Sequence, residues 1–161
     1  MPNESVSAEH PEAKLAAKGL ALPGASTPVA AYVPAKRVGN LVYTAGQIPM
    51  RSGALIATGP VPSKVSVELA REAAVQCALN GLAAIKGVVG DLAKVKQVVK
   101  LDVFVQSDDG FAEQPKVANA ASELMIEIFG EAGKHARAAV GTNALPLSAS
   151  VEIAFVVEVG E

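Results

Sequence analysis

The chain has 161 residues, half of them hydrophobic, which is enough for one substantial core and shows no compositional break that would call for a second domain. Its 14 basic and 16 acidic residues nearly balance and form no long single-sign block, which argues against a nucleic-acid groove or an anionic membrane surface as partner. No apolar run approaches the roughly 18 residues that suggest a membrane span, the N-terminus lacks the basic-then-apolar order of a secretion signal, and the expected compartment is cytoplasmic.

In chain order, residues 1–8 read as a flexible lead-in and 9–18 as a short helix, broken at Gly19 and followed by the LPGASTP linker. Residues 1–27 are thus expected to be an N-terminal extension, with one domain at 28–161. Short strands are expected at 30–35 and 41–44, joined through Gly39 and Asn40, and a brief extended stretch at 54–57 follows the breaker-rich AGQIPMRSG segment. From 66 to 89 the period becomes helical: Val75, Leu79, Leu82, Ile85 and Val89 fall on one face, Ser66 can cap the start, and Gly81 is a weak point. Cys77 lies within this helix as the sole cysteine, so an intrachain disulfide and a thiolate metal cluster are both excluded, and it reads as buried filler.

Residues 95–105 alternate as a strand with Val99, Leu101, Val103 and Val105 on one face and Lys100, Asp102 and Phe104 on the other. Lys94, Lys96 and Lys100, interleaved with valines, read as an exposed or subunit-facing strand edge rather than a phosphate groove. SDDG at 107–110 is a solvated turn. A second helix at 113–129 carries Val117, Leu124, Ile128 and Phe129 toward the core and ends at Gly130. The last strands are expected at 136–144 and 151–159, and the latter buries Val151, Ile153, Phe155, Val157 and Val159 while turning Glu152 and Glu158 to the other side. The order β-β-β-α-β-α-β-β predicts an α/β domain of the α+β kind: a mixed sheet with two helices packed on one face. Its other face would keep Val98, Phe104, Ala154 and Val156, which invites oligomerisation.

Two residues in this last region stand out chemically. Arg137 presents five donors in a planar fork that can hold both oxygens of a small carboxylate, and Glu152 can order water or accept a proton. A structural ion pair at the start of a strand remains open for Arg137, and Glu152 could equally face solvent or pair across a subunit boundary. If LPLSA makes a tight hairpin near Leu147 and Ser148, Glu152 lies opposite Asn143 and Arg137 several rungs away, so bridging by water or ligand is expected over a direct salt bridge. The glycines at 39, 46, 53 and 59 lack phosphate-loop spacing, and His10 and His135 read as a surface and a loop residue rather than as metal ligands. No nucleophile-elbow motif is present, so a metal-free pocket without a cofactor is expected.

Two segments, AAYVPAKRVGNLVYTAGQIP at 30–49 and ARAAVGTNALPLSASVEIAF at 136–155, arranged around two helices, resemble the RidA family of reactive-intermediate deaminases, formerly described as L-PSP endoribonucleases. The resemblance spans about 28–159 and implies a chorismate-mutase-like protomer assembled as a homotrimer, with ligand cavities at subunit boundaries. It implies hydrolysis of a small carboxylate-containing imine to a 2-oxo acid and ammonia. Carried over residue by residue, it makes Arg137 the carboxylate clamp, Glu152 the catalytic acid, and Tyr32, Gly46 and Asn119 further substrate-binding positions. Ala45 and Ala139 depart from the family's usual serine and cysteine, which leaves a noncatalytic trimeric metabolite-binding protein as the alternative expectation.

Overall fold

The computed structural model describes residues 9–24 and 30–161. The expected lead-in at 1–8 and part of the expected linker, 25–29, lie outside the described residues. A mixed α/β fold is built from α1 (Pro11–Ala17), β1 (Ala35–Val38), β2 (Leu41–Thr44), β3 (Met50–Arg51), β4 (Ala54–Leu55), α2 (Val67–Val89), β5 (Val95–Gln106), α3 (Gln114–Phe129), β6 (Ala136–Thr142) and β7 (Val151–Val159). The main sheet runs β1-β2-β7-β5-β6, with β5 and β6 parallel and the other pairs antiparallel. β3 and β4 form a separate two-stranded hairpin.

The helices form where the period predicts. Ser66 Oγ accepts the Leu69 N–H at 3.1 Å and so caps α2. α2 and α3 pack on one face of the sheet, where Leu82, Ile85, Leu101, Val103, Ile153, Phe155 and Met125 are essentially inaccessible. Gly81 is a close-packing site within this core: a Cβ there would stand 2.6 Å from the Phe155 ring, so the absent side chain makes room for that ring. Cys77 is fully buried, as filler would be. Helix α1 docks as well, with Leu15 in the core at 1 % exposure and Lys86 Nζ 2.9 Å from Glu12.

Four expectations need correction. The first strand begins at Ala35, five residues late, because it is an edge strand of mostly exposed Lys36, Arg37 and Val38, paired only to β2, and burial leaves little signature on it. The final strands are not a hairpin. β5 lies between them, so Glu152 stands opposite Phe104 and not Asn143. The LPLSA segment instead engages residues 58–59: Thr58 bridges Ala149, Gly59 N–H donates to Ser148 O, and Leu147 and Ser148 adopt φ of 56° and 60°. Finally, β5 is an interior strand with bulges at Val95/Gln97 and Val98/Lys100. The extra residue reverses the alternation, burying Val98 and exposing Val99, so Val98 leaves the open face, and Lys100, set between β7 and β6, marks no sheet edge.

The face opposite the helices is left uncovered by the described residues. Register places Tyr43 beside Val156, and Glu152, Phe104 and Val140 in one row across β7, β5 and β6. Tyr43 and Val140 are both 47 % exposed.

Candidate active site

Arg137 sits on β6 opposite Leu101, which is itself opposite Phe155. Both partners belong to the core, so alternation turns Arg137 toward the helix side, where α3 presents Asn119 and Ser122 one turn apart. Arg137 Nη1 donates to Asn119 Oδ1 at 2.8 Å and to Ser122 Oγ at 3.1 Å. These bonds use both Nη1 hydrogens. Nε and Nη2, the side-on edge of the guanidinium, find no acceptor among the described residues, and Arg137 makes no ion pair among them. A half-buried cation with a free bidentate edge is suited to a carboxylate.

Glu152 occupies the other side of the sheet. Its side chain lies on the Gly46 backbone so closely that a Cβ at Gly46 would be 2.7 Å from Oε2. Any larger residue at 46 would displace the carboxylate. Partial burial raises the Glu152 pKa above its ordinary value by disfavouring the charged form. That direction suits a group that must take up and return a proton near neutrality.

The five candidate residues therefore form two clusters within one chain. Arg137 and Asn119 make one, while Glu152 and Gly46 make the second. Tyr32, 58 % exposed, lines a cavity of about 490 Å³ together with Gly46, Ile48 and Asn80. Arg137 and Glu152 lie two strands and three residues apart, roughly 14 Å between Cα atoms on standard sheet spacings, and on opposite faces. A small ligand bridging them inside one chain, as the hairpin geometry suggested, is ruled out by this placement.

Three further residues support these clusters. Asn80 Nδ2 donates to Ile48 O at 3.0 Å and to Met50 O at 3.1 Å, holding the loop that follows Gly46. Ser122 and His135 stand behind Arg137: Ser122 Oγ is 2.9 Å from His135 Nε2, and His135 Nδ1 is 2.6 Å from Gly133 O. His135 is therefore part of a network and not a plain loop residue. The signal available in the sequence was the spacing of three between Asn119 and Ser122 on a helix whose C-terminal turn leads to His135. No group of three or more His, Cys, Asp or Glu among the described residues could hold a metal ion, and no described helix is long and apolar enough to cross a membrane.

Residues 12–159 match the family model described as "YjgF/chorismate_mutase-like, putative endoribonuclease". The chain is similar to a structure of a protein of unknown function from Agrobacterium tumefaciens, at 45% identity and a TM-score of 0.88 with 96% of each chain covered. It is 41% identical over 147 residues to Protein TCP17 of Trypanosoma cruzi, covering 91% of this chain and 92% of that protein. It is also 32% identical over 140 residues to a 2-iminobutanoate/2-iminopropanoate deaminase of Dermatophagoides farinae, covering 86% and 93% respectively. With its mixed sheet, helices on one face and match over nearly its whole length, the chain belongs to the YjgF/RidA, or endoribonuclease L-PSP, family.

Proposed function

We propose that this protein is a homotrimeric hydrolase that converts small 2-imino acids to 2-oxo acids and ammonia, with each site shared between neighbouring protomers. The observation that carries the reading is the split site: a carboxylate-ready arginine and a carboxylate of raised pKa on opposite faces of one sheet. One chain cannot apply both to a small molecule, whereas two copies can. The apolar residues of the open face, Phe104 and Val140 on one rung and Tyr43 and Val156 on another, supply a surface for that association, and the deaminase relative supports the chemistry.

In such a site Arg137 of one protomer holds the substrate carboxylate on its Nε/Nη2 edge, fixing C2 near Glu152 of its neighbour. With the imine nitrogen protonated as an iminium, Glu152 takes a proton from water as the water oxygen bonds to C2 and the C=N electron pair moves to nitrogen. The same proton is then delivered to the amino group of the tetrahedral adduct. The C–N bond breaks, ammonia leaves, and loss of the hydroxyl proton completes the 2-oxo acid. Gly46 leaves room for the carboxylate, and Tyr32 and Asn119 line the pocket walls. RNA cleavage is disfavoured by the balanced charge and the scarcity of aromatic residues. Ala45 and Ala139, which carry no polar side-chain group, favour a second reading, a noncatalytic binder of small carboxylates.

Generating an imino acid in place and following 2-oxo-acid formation tests the proposal. Arg137→Ala and Glu152→Gln should each slow turnover by about 10²-fold or more, in line with removal of a charged clamp or an acid–base group. Equal rates for all three proteins would reject it. Pyruvate binding that requires Arg137, without acceleration of imine hydrolysis, would select the binding protein.

A further inference from the structure

Resting on the reading of Arg137 as the carboxylate clamp, we infer that Ser122 and His135 are positioning residues that lock the guanidinium with its Nε/Nη2 edge toward the ligand. The hydrogen-bond directions in this network are determined by chemistry alone. Gly133 O can only accept, so His135 Nδ1 carries the proton at the 2.6 Å contact. In the neutral ring Nε2 is then bare and must accept from the hydroxyl of Ser122, 2.9 Å away. A guanidinium can only donate, so the same Ser122 oxygen accepts from Arg137 Nη1 at 3.1 Å, while Asn119 Oδ1 takes the second Nη1 hydrogen at 2.8 Å. Every proton has one destination. The chain Arg137 → Ser122 → His135 → Gly133 O runs in one direction and allows one tautomer and one hydroxyl rotamer.

The anchor itself is rigid. Gly133 is buried, and a Cβ on it would lie 2.2 Å from Met125 O, so this backbone packs directly on α3 at the turn following Ser122. Helix, turn and strand are thereby tied together through His135. Nη1 faces protein on both of its hydrogens, and only the side-on edge is left for a ligand. Asn119 alone would leave the guanidinium plane free to pivot about a single bond; the second contact removes that freedom, which lowers the ordering cost when a carboxylate arrives.

The test uses the intact oligomer with pyruvate as binding probe, alongside imine turnover and ¹⁵N spectra of the arginine and histidine side chains. Ser122→Ala and His135→Phe should each weaken pyruvate binding about tenfold and raise KM similarly, while kcat moves less than about twofold. The double variant should be no worse than Ser122→Ala alone, and Ser122→Thr, which keeps the hydroxyl, should restore binding to within about twofold. In the ligand-free protein His135 should show the Nδ1-protonated pattern, and the separate Nη1 signals of Arg137 should merge in Ser122→Ala. Wild-type binding by both single variants, with binding lost in Arg137→Ala, would overturn the inference and leave the clamp standing. Pyruvate binding indifferent to Arg137→Ala would defeat the clamp itself. An Nε2-protonated His135, or Arg137 signals unchanged by Ser122→Ala, would overturn the inference whatever the ligand does.

Discussion

Glu152, the proposed proton carrier, carries a cost to stability whose sign follows from its burial. Burial raises its folded-state pKa above the ordinary 4.5, so the folded protein holds this proton more tightly than the unfolded chain. Below the ordinary value both states are protonated and no penalty exists. As pH rises through that value and then through the raised folded one, the unfolded chain ionises first, and a destabilising contribution grows until the pH has passed the raised folded value. Glu152→Gln should therefore raise the thermal midpoint at pH 7 while abolishing turnover, and the gain should vanish below about pH 4. A midpoint lowered at pH 7 would contradict this. The residue types at the candidate site were legible because an arginine and an acid interrupt apolar strands. Ser122 and His135 were not, because a serine on a helix and a histidine in a turn have no local pattern that reveals a shared partner.

Helix α2 contains two glycines whose substitution should have opposite effects. At Gly81 an added methyl meets the buried Phe155 ring at 2.6 Å, so Gly81→Ala should destabilise by about 1–3 kcal/mol despite the better helix former. Gly87 has nothing within 4 Å of the same added atom, and Gly87→Ala should be neutral or stabilise by up to about 1 kcal/mol. Denaturant midpoints of the two variants check the pair, and a destabilised Gly87→Ala or a tolerated Gly81→Ala would refute it. The contrast also marks what periodicity can and cannot convey. Helices α2 and α3 and strand β7 follow from their burial rhythm, since each buries one regular face. Strand pairing does not. Nothing local in residues 136–159 says that β5 will enter between β6 and β7, and a single bulged residue in β5 suffices to exchange the fates of Val98 and Val99.

For the whole molecule, the proposed shared site makes association a requirement for the proposed activity. Light scattering should give three times the chain mass, and Val156→Glu on the open face should yield a folded, inactive species of lower mass. A stable, active monomer would sink the shared site. Mixing Arg137→Ala with Glu152→Gln offers a sharper check: after subunit exchange about a quarter of the sites regain both groups by random pairing, and activity should recover to about that share. No recovery, with exchange demonstrated, would place both groups on one protomer. The strand order has its own consequence for how the protein comes into being. β7, the last of the described strands in chain order, is the only one of them that joins the β1-β2 pair to the β5-β6 pair. Until it emerges, the nascent chain holds two half-sheets whose inner edges are open to pairing, so the most aggregation-exposed moment of its synthesis comes just before β7 appears.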